Sequence, residues 1–201
     1  MVSFTANSNF YTVLYLNLVI LKSIDLYKIR QSVRKYSDAK VSREVLQYCL
    51  EAARLAPSAS NSQPWKFIVV DHEPVRTRVA QATFSAVVPF NKFTMLAPVI
   101  VVVIIDKPKL ITRIAMKVKK RDWQLIDIGI VAAHFCLQAA EDGLGTCMLG
   151  WFDEKKVKEL LKIPDDKTIG LMIAVGYAPE DYPLRTKIRK SLEEIISYNG
   201  Y

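Results

Sequence analysis

The chain has 201 residues, of which 51% are hydrophobic and 24% charged, so it is long enough for one globular domain and is not a disordered protein. Its formal net charge of +8 could attract nucleic acid, anionic lipid or a phosphorylated small molecule. The densest basic run, residues 117–121, has one aromatic neighbour, Trp123, and no nucleic-acid motif accompanies it. A solvated surface is the favoured interpretation, and we expect no nucleic-acid partner.

The N-terminal segment contains an apolar stretch, residues 10–21, which Thr12 and Asn17 interrupt. It is too short and too polar to span a bilayer, which takes about 20 apolar residues. No Lys or Arg precedes it and no small-residue cleavage site follows, so it is a poor signal peptide. We expect residues 1–26 to form an N-terminal extension that packs as a helix or on a partner, with no membrane contact.

Helix and strand signals alternate along the rest of the chain, and no linker divides it. Ser42 fits the N-cap of a helix that Pro57 ends, and Asp153 fits the N-cap of a short helix that reaches Lys162. Further helices are predicted over residues 74–84 and 122–140, and strands over residues 65–70, 98–105, 145–149 and 168–177. By itself, this alternation suggests parallel α/β units within one domain, residues 27–201.

The predicted helix over residues 122–140 is apolar on most sides, and its alanines allow close approach. Such a helix is buried either in a large core or against a second subunit. The tail that follows residue 183 is basic first and amphipathic later.

The three cysteines and two histidines match no metal or redox motif. Cys49 and Cys136 fall on apolar faces of predicted helices, where a thiol acts as a small hydrophobic group. A reducing compartment fits better than a disulfide framework, and the expected location is the cytoplasm. His72 and His134 lie far apart in the sequence, so we expect no metal site.

No hydrolase, P-loop or dinucleotide-binding motif is present, so any chemistry must come from a bound cofactor. In R-x-S-x-R, the alternation of Arg30, Ser32 and Arg34 would place two guanidinium groups and a hydroxyl on one face, facing an anion. Lys187 and Arg189 alternate in the same way in the tail. Taken alone, an ordinary basic strand face and a solvated tail explain these two patterns more simply.

A third stretch, P-S-A-S-N-S-Q-P-W at residues 57–65, is rich in hydroxyls and amides and carries a proline near each end. Neutral donors and acceptors of this kind suit the polar edge of an uncharged ring. Taken alone, the stretch is equally a connector between a helix and a strand.

Together, R-x-S-x-R and P-S-x-x-N-x-Q-P-W resemble the motifs of the FMN-binding nitroreductase superfamily, and the resemblance runs over residues 27–196. It implies an α+β fold with a mostly antiparallel central sheet enclosed by helices, in place of parallel units. It also implies an intertwined homodimer with a C-terminal dimer arm and two FMN sites, each formed by both chains. No catalytic side chain is implied, because the flavin performs the hydride chemistry.

The resemblance implies that residues 30–34 and the alternating pair in the tail hold the phosphate and ribityl chain of FMN. Four basic side chains around a dianionic phosphate are good charge complementarity. The candidates on this side of the flavin are Arg30, Gln31, Ser32, Arg34, Lys187 and Arg189.

The resemblance also implies a set of contacts around the flavin ring. Residues 57–59 correspond to the segment that covers the flavin from the other chain, and position 91 to an amide at the pyrimidine edge. Residues 148–150 correspond to the loop whose backbone N–H groups face flavin N5. The candidates on this side are Pro57, Ser58, Ala59, Asn61, Gln63, Asn91, Met148, Leu149 and Gly150.

Two positions depart from the pattern of the superfamily. Leu149 stands where several relatives have an acidic residue, and Thr94 stands where some have a lysine near the ring. Because the contact at position 149 is made by the backbone, flavin binding need not be lost. The tuning of the flavin and the substrate preference are the properties that these departures put in question.

The implied function is an FMN-dependent oxidoreductase that takes a hydride from NADH or NADPH and reduces an electron-poor small molecule, such as a nitroaromatic or a quinone, by a ping-pong mechanism. The resemblance also covers specialised flavoenzymes for dehalogenation, enoate reduction or flavin breakdown. A non-catalytic flavin-binding or flavin-storage protein would share every phosphate contact. A basic nucleic-acid-binding module is the alternative from another class, and it would purify without colour.

Overall fold

The computed structural model of the chain describes residues 23–107 and 110–201, so the predictions for residues 1–22 lie outside the described residues. The described part contains seven α-helices: α1 (Ser23–Ile29), α2 (Arg43–Arg54), α3 (Glu73–Gln81), α4 (Leu110–Lys119), α5 (Trp123–Glu141), α6 (Glu154–Leu161) and α7 (Leu192–Ile195). Its strands are β1 (Trp65–Val70), β2 (Val99–Ile105), β3 (Gly145–Leu149) and β4 (Thr168–Gly176). Two short 3-10 helices lie at Ala59–Asn61 and Lys92–Leu96.

The four strands form one antiparallel sheet in the order β1-β2-β4-β3. β2 lies inside the sheet because it is an unbroken aliphatic run, which suits a strand that is covered on both faces. The antiparallel sheet implied by the resemblance is confirmed, and the parallel units suggested by the alternation are wrong. A helix between two strands can return the chain to either end of a sheet, so alternation alone does not fix strand direction.

Helices cover both faces of this sheet. On one face, α2 and α5 pack on β2 and β4, with Leu46 and Phe135 buried among the strand side chains. On the other face lie α3 and α6, whose Val79 and Val157 are fully buried. Burial of each such side chain contributes roughly 1.5–3 kcal/mol. The enclosed sheet is the α+β architecture that the resemblance implied.

Two helix starts predicted from capping residues are confirmed. The Ser42 Oγ accepts a hydrogen bond from the Val45 N–H at 3.3 Å, and the Asp153 Oδ1 accepts one from the Lys156 N–H at 3.0 Å. The sequence predicts no separate helix at α1 or α4, although residues 23–26 of α1 belong to the extension expected to pack as a helix or on a partner. α1 has only seven residues, too few for helical periodicity to show, and the basic residues at the end of α4 suggest a solvated run.

The long helix α5 has 19 residues and is apolar enough to cross a membrane by length and composition alone, a test that core helices also pass. Its Val131 and Ala132 are fully buried against the sheet. In contrast, Leu125 and Ile126 are each 56% exposed, and Gly129 is exposed on the same helix. α5 therefore fills the core on one side and presents an apolar surface on the other.

Candidate functional site

Residues 30–34 form a strap beside β3, at the edge of the sheet. A parallel bridge joins Ser32 to Thr146, and the Val33 N–H donates to the Thr146 carbonyl at 2.8 Å. Val33 is buried against Gly145, where a Cβ would lie 2.7 Å from a Val33 methyl group. A glycine at position 145 is therefore needed for this close approach. Because side chains alternate in an extended segment, inward Val33 leaves Ser32 and Arg34 on the opposite side.

A second segment, residues 182–189, fastens the strap from outside, and we call it the clasp. Its hydrogen bonds with the strap use the side chains of both segments. With the donor first, they join Arg34 N to Tyr182 Oη (3.1 Å), Gln31 Nε2 to Pro183 O (3.0 Å), Arg185 N to Gln31 Oε1 (3.1 Å), Arg185 Nη2 to Ser32 O, and Lys187 Nζ to Arg30 O (2.7 Å). Two predicted site segments that are far apart in sequence therefore lie together.

Strap and clasp gather five cations, which we call the cation cluster: Arg30, Arg34, Arg185, Lys187 and Arg189. Within the described ranges, none of the five forms an ion pair with an acidic residue. Loss of solvent, followed by repulsion from Arg30, Arg189 and Arg185, lowers the pKa of Lys187. Arg34 belongs to the same group, since its charge and that of Arg185 oppose the burial that raises the pKa of Cys147. This unbalanced positive charge suits an anion with several acceptor oxygens.

The lowered pKa of Lys187 predicts a pH dependence for the stability of the ligand-free protein. The unfolded chain holds this proton more tightly, so the penalty is complete at neutral pH and disappears as the pH rises through the folded pKa towards 10.5. Relative to Lys187→Gln, wild type should therefore become more stable as the pH rises over this interval. Denaturant unfolding of both proteins at several pH values measures the difference, and a difference that moves the opposite way contradicts the prediction.

Residues 57–63 form a loop with an unusual backbone. Ser60, Asn61 and Gln63 all have positive φ, at 52°, 49° and 48°. The Gln63 N–H donates to the Ser58 Oγ at 2.9 Å, and the Gln63 Nε2 donates to the Asn61 Oδ1 at 2.9 Å. Three of the side chains predicted to contact the flavin therefore hold the shape of the loop in this chain.

Two buried side chains anchor the loop from outside. The Ala59 N–H donates to both carboxylate oxygens of Asp127 on α5, at 3.1 and 3.4 Å. The hydroxyls of Ser62 and Thr112 lie 2.7 Å apart, which joins the loop to α4. Asp127 and Thr112 are 4% and 1% exposed, so both anchors belong to the interior.

The loop and the cation cluster lie against different parts of α5. Asp127 touches the loop, while the charge of Arg30 reaches the thiol of Cys136, nine residues further along. Nine residues span roughly 13 Å of helix axis. The bonds that Ala59 and Ser62 make outside the loop lead to α5 and α4, and not to the strap or the clasp. Within a single chain, loop 57–63 and the cation cluster therefore lie at separate places along α5.

Asn91 lies near the strap. This residue is buried, and its Nδ2 donates to the Trp151 carbonyl at 3.1 Å, which ties it to the turn that follows β3. The Arg34 guanidinium carbon lies 5.9 Å from the centre of the Phe93 ring, two residues after Asn91. The strap, Asn91 and the turn after β3 therefore share one end of the sheet edge.

The two departures from the family pattern both point inward. Leu149 is 2% exposed and packs in the core, so only its backbone is available to a ligand. Thr94 is fully buried, and its hydroxyl donates to the Asn91 carbonyl at 2.8 Å and lies 2.8 Å from the Thr83 hydroxyl. Neither Leu149 nor Thr94 therefore supplies a charged group to a ligand at these positions.

Two residues of the site were missed by the sequence analysis. Arg185 precedes Lys187 by two positions, so the alternation R-x-K-x-R in the clasp could have revealed it. Asp127 is a single carboxylate in an apolar helical stretch, and a lone acid at a core-facing position is the available signal.

The fold and the cation cluster together describe an α+β protein suited to hold an anion at the edge of its sheet. The sequence model of the nitroreductase family matches residues 27–177, and the chain belongs to the nitroreductase family.

Individual relatives agree with this assignment. A protein of Archaeoglobus fulgidus, provisionally named NADH dehydrogenase/NAD(P)H nitroreductase, is 34% identical over 157 residues, covering 76% of this chain and 82% of the relative. An iodotyrosine deiodinase of Thermotoga neapolitana is 25% identical over 191 residues, covering 88% and 97%. The solved structure of an FMN-dependent nitroreductase from Clostridium difficile R20291 superimposes with a TM-score of 0.71 at 29% identity, covering 89% and 99%. These are names of oxidoreductases with differing substrates.

Proposed function

We propose that the protein is an FMN-dependent oxidoreductase that takes a hydride from NADH or NADPH and reduces a nitroaromatic, a quinone or a similar electron-poor small molecule by a ping-pong mechanism. The observation that carries the proposal is the cation cluster, which has no acidic partner in the described part of the chain. The FMN-dependent structural relative and the NAD(P)H nitroreductase name of another relative support it.

The residues of the cluster fit a terminal phosphate. Arg30 and Lys187 are half-buried, which strengthens their attraction for a dianion, while Arg34 and Arg189 are exposed and can turn towards it. Arg185 already donates to the strap, so its role is to hold strap and clasp together. Nothing in this arrangement addresses an adenylate, which favours FMN over FAD.

The ring side of the site would use neutral groups. The Asn91 Oδ1 accepts no hydrogen bond from the described residues and is available to an N–H of a pyrimidine ring. The backbone of residues 148–150 would lie beside the reactive part of the ring. The chemistry supplied by a bound flavin is transfer of the nicotinamide's hydride equivalent to the acceptor in two successive half-reactions. The chain itself binds, orients and excludes water.

We further propose a homodimer in which loop 57–63 of one chain completes the site of the other. Support comes from the separation of loop and cluster along α5, and from the exposed Leu125 and Ile126. Gly129 lies on the same helix with open space where a Cβ would be, so another chain could approach closely. The location that we propose is the cytoplasm, since the three cysteines are buried free thiols.

The first test is the identity of the flavin. Protein purified from cells should be yellow, and the released cofactor should be FMN, because the cluster fits a terminal phosphate and not a dinucleotide. Chromatography of the heat-released flavin measures this, and FAD as the main species contradicts the proposal. Anaerobic NADH and NADPH should then bleach the colour, whereas a flavin-storage protein would stay yellow.

A second candidate function is reductive dehalogenation of an aromatic substrate. It is favoured by the Thermotoga deiodinase, nearly the whole length of which aligns with this chain. Iodide release from iodotyrosine by the chemically reduced protein distinguishes it from nitroaromatic or quinone reduction.

A further inference from the structure

The conformation of loop 57–63 requires external support. The positive φ values of Ser60, Asn61 and Gln63 lie in the left-handed region, which is strained for Ser and Gln and better tolerated by Asn. Such a conformation persists only where the surroundings impose it. The bonds within the loop hold its end together, but the Ala59 N–H points away from them, to Asp127.

Burial of the Asp127 carboxylate costs free energy that packing alone does not explain. Its side chain is buried, with 4% of the residue exposed, and its neighbours in the sequence are the apolar Ile126 and Ile128. It forms no ion pair with any described residue. Loss of solvent raises its pKa, and the Ala59 N–H is the group that opposes this rise. A buried carboxylate with one backbone donor costs more free energy than an aliphatic side chain of similar size. Its contact with the loop is therefore the feature that accounts for it.

We propose that Asp127 is a positioning residue of the flavin site: through the Ala59 amide, it holds loop 57–63 in the shape in which the loop meets the flavin. The inference rests on the proposed function, in which this loop covers the cofactor. Asp127 itself touches no reacting atom. It acts from the far side of the loop, while the Ser62–Thr112 contact fixes the next turn of the backbone.

The test compares Asp127→Asn, which keeps an acceptor oxygen, with Asp127→Leu, which removes it at similar volume. In the full-length, flavin-free protein, Asp127→Leu should raise the dissociation constant for FMN at least about tenfold, as expected for loss of a charge-assisted bond. Asp127→Asn should stay within about threefold of wild type. The Ala59 amide should exchange its hydrogen faster in the leucine variant and at the wild-type rate in the asparagine variant.

Two controls separate positioning from general damage to the fold. The rise in melting temperature caused by inorganic phosphate, which probes the cation cluster alone, should be the same in all three proteins. If the leucine variant does not fold, Asp127→Ala removes the same acceptor without adding volume.

Wild-type affinity of the leucine variant for FMN, or equal losses in both variants, would overturn the inference alone. A wild-type protein that binds no FMN would overturn the proposed function and this inference together.

Discussion

Replacing Arg30 by alanine should raise the dissociation constant for FMN roughly 10- to 150-fold, the equivalent of about 1.5–3 kcal/mol for one charge-assisted phosphate contact. Arg30 is half-buried, and its charge lies close enough to Lys187 to lower the pKa of that lysine. In the flavin-free protein, the same substitution removes a repulsion. Its melting temperature should therefore not fall, while the stabilisation gained on adding FMN should shrink.

A matched control for this substitution is available on α3. Arg78 is exposed and forms no ion pair within residues 23–107 and 110–201, so Arg78→Ala removes the same charge from elsewhere on the molecule. Quenching of flavin fluorescence measures both affinities. Equal affinities in the two variants would mean that Arg30 contributes only to the general positive field.

Ending the chain after residue 183 should nearly abolish flavin binding, with a loss of roughly a hundredfold or more. This truncation removes Lys187 and Arg189, the two clasp cations proposed to contact the phosphate, and the loss of two charge-assisted contacts corresponds to about that factor. It also removes Arg185, which bonds to the strap. The strap would also lose the clasp that holds it against β3. The same truncation should weaken the proposed dimer, because it also removes the apolar side chains of the tail that would pack on the partner.

A second truncation, after residue 190, separates the two effects. It keeps all the cations but removes Leu192, Ile195 and Ile196, which are 65%, 63% and 41% exposed in the single chain. If these side chains are covered by a partner, their loss should cost about 1–2 kcal/mol each and weaken the dimer at least tenfold. Sedimentation at micromolar concentration reports the mass of each variant. A compact, flavin-loaded monomer of the untruncated chain contradicts the shared site.

Much of the architecture was predictable from local pattern. The strands over residues 65–70 and 145–149 are found where they were predicted, since short, mostly apolar runs next to turn residues leave little choice. Strand direction was not, because no residue encodes which end of the sheet a connecting helix returns to. It took the family resemblance to indicate the antiparallel arrangement.

The candidate site also has a part that local sequence patterns indicate and a part that they do not. Alternating charge drew attention to Arg30 and Arg34 in the strap and to Lys187 and Arg189 in the clasp, because extended segments show their exposed face directly in the sequence. It was the family resemblance that made these residues candidates for a phosphate site. The contact of Asp127 with Ala59 joins positions 68 residues apart, and neither position carries a local signal of the other. Contacts of this kind arise from the fold as a whole, which is why Asp127 was missed, whereas the missed Arg185 did have a local signal in the R-x-K-x-R alternation.

The repulsion within the cation cluster affects the resistance of the protein to proteolysis. A ligand that binds only the folded state stabilises it by about 2.7 kcal/mol when present at one hundred times its dissociation constant. Without an anion, a few hydrogen bonds hold the clasp against the strap, while repulsion between their positive charges opposes this contact. Its opening would offer the last eighteen residues, 184–201, to proteases. Binding of the proposed FMN would then slow proteolysis of this tail, apart from any effect on catalysis.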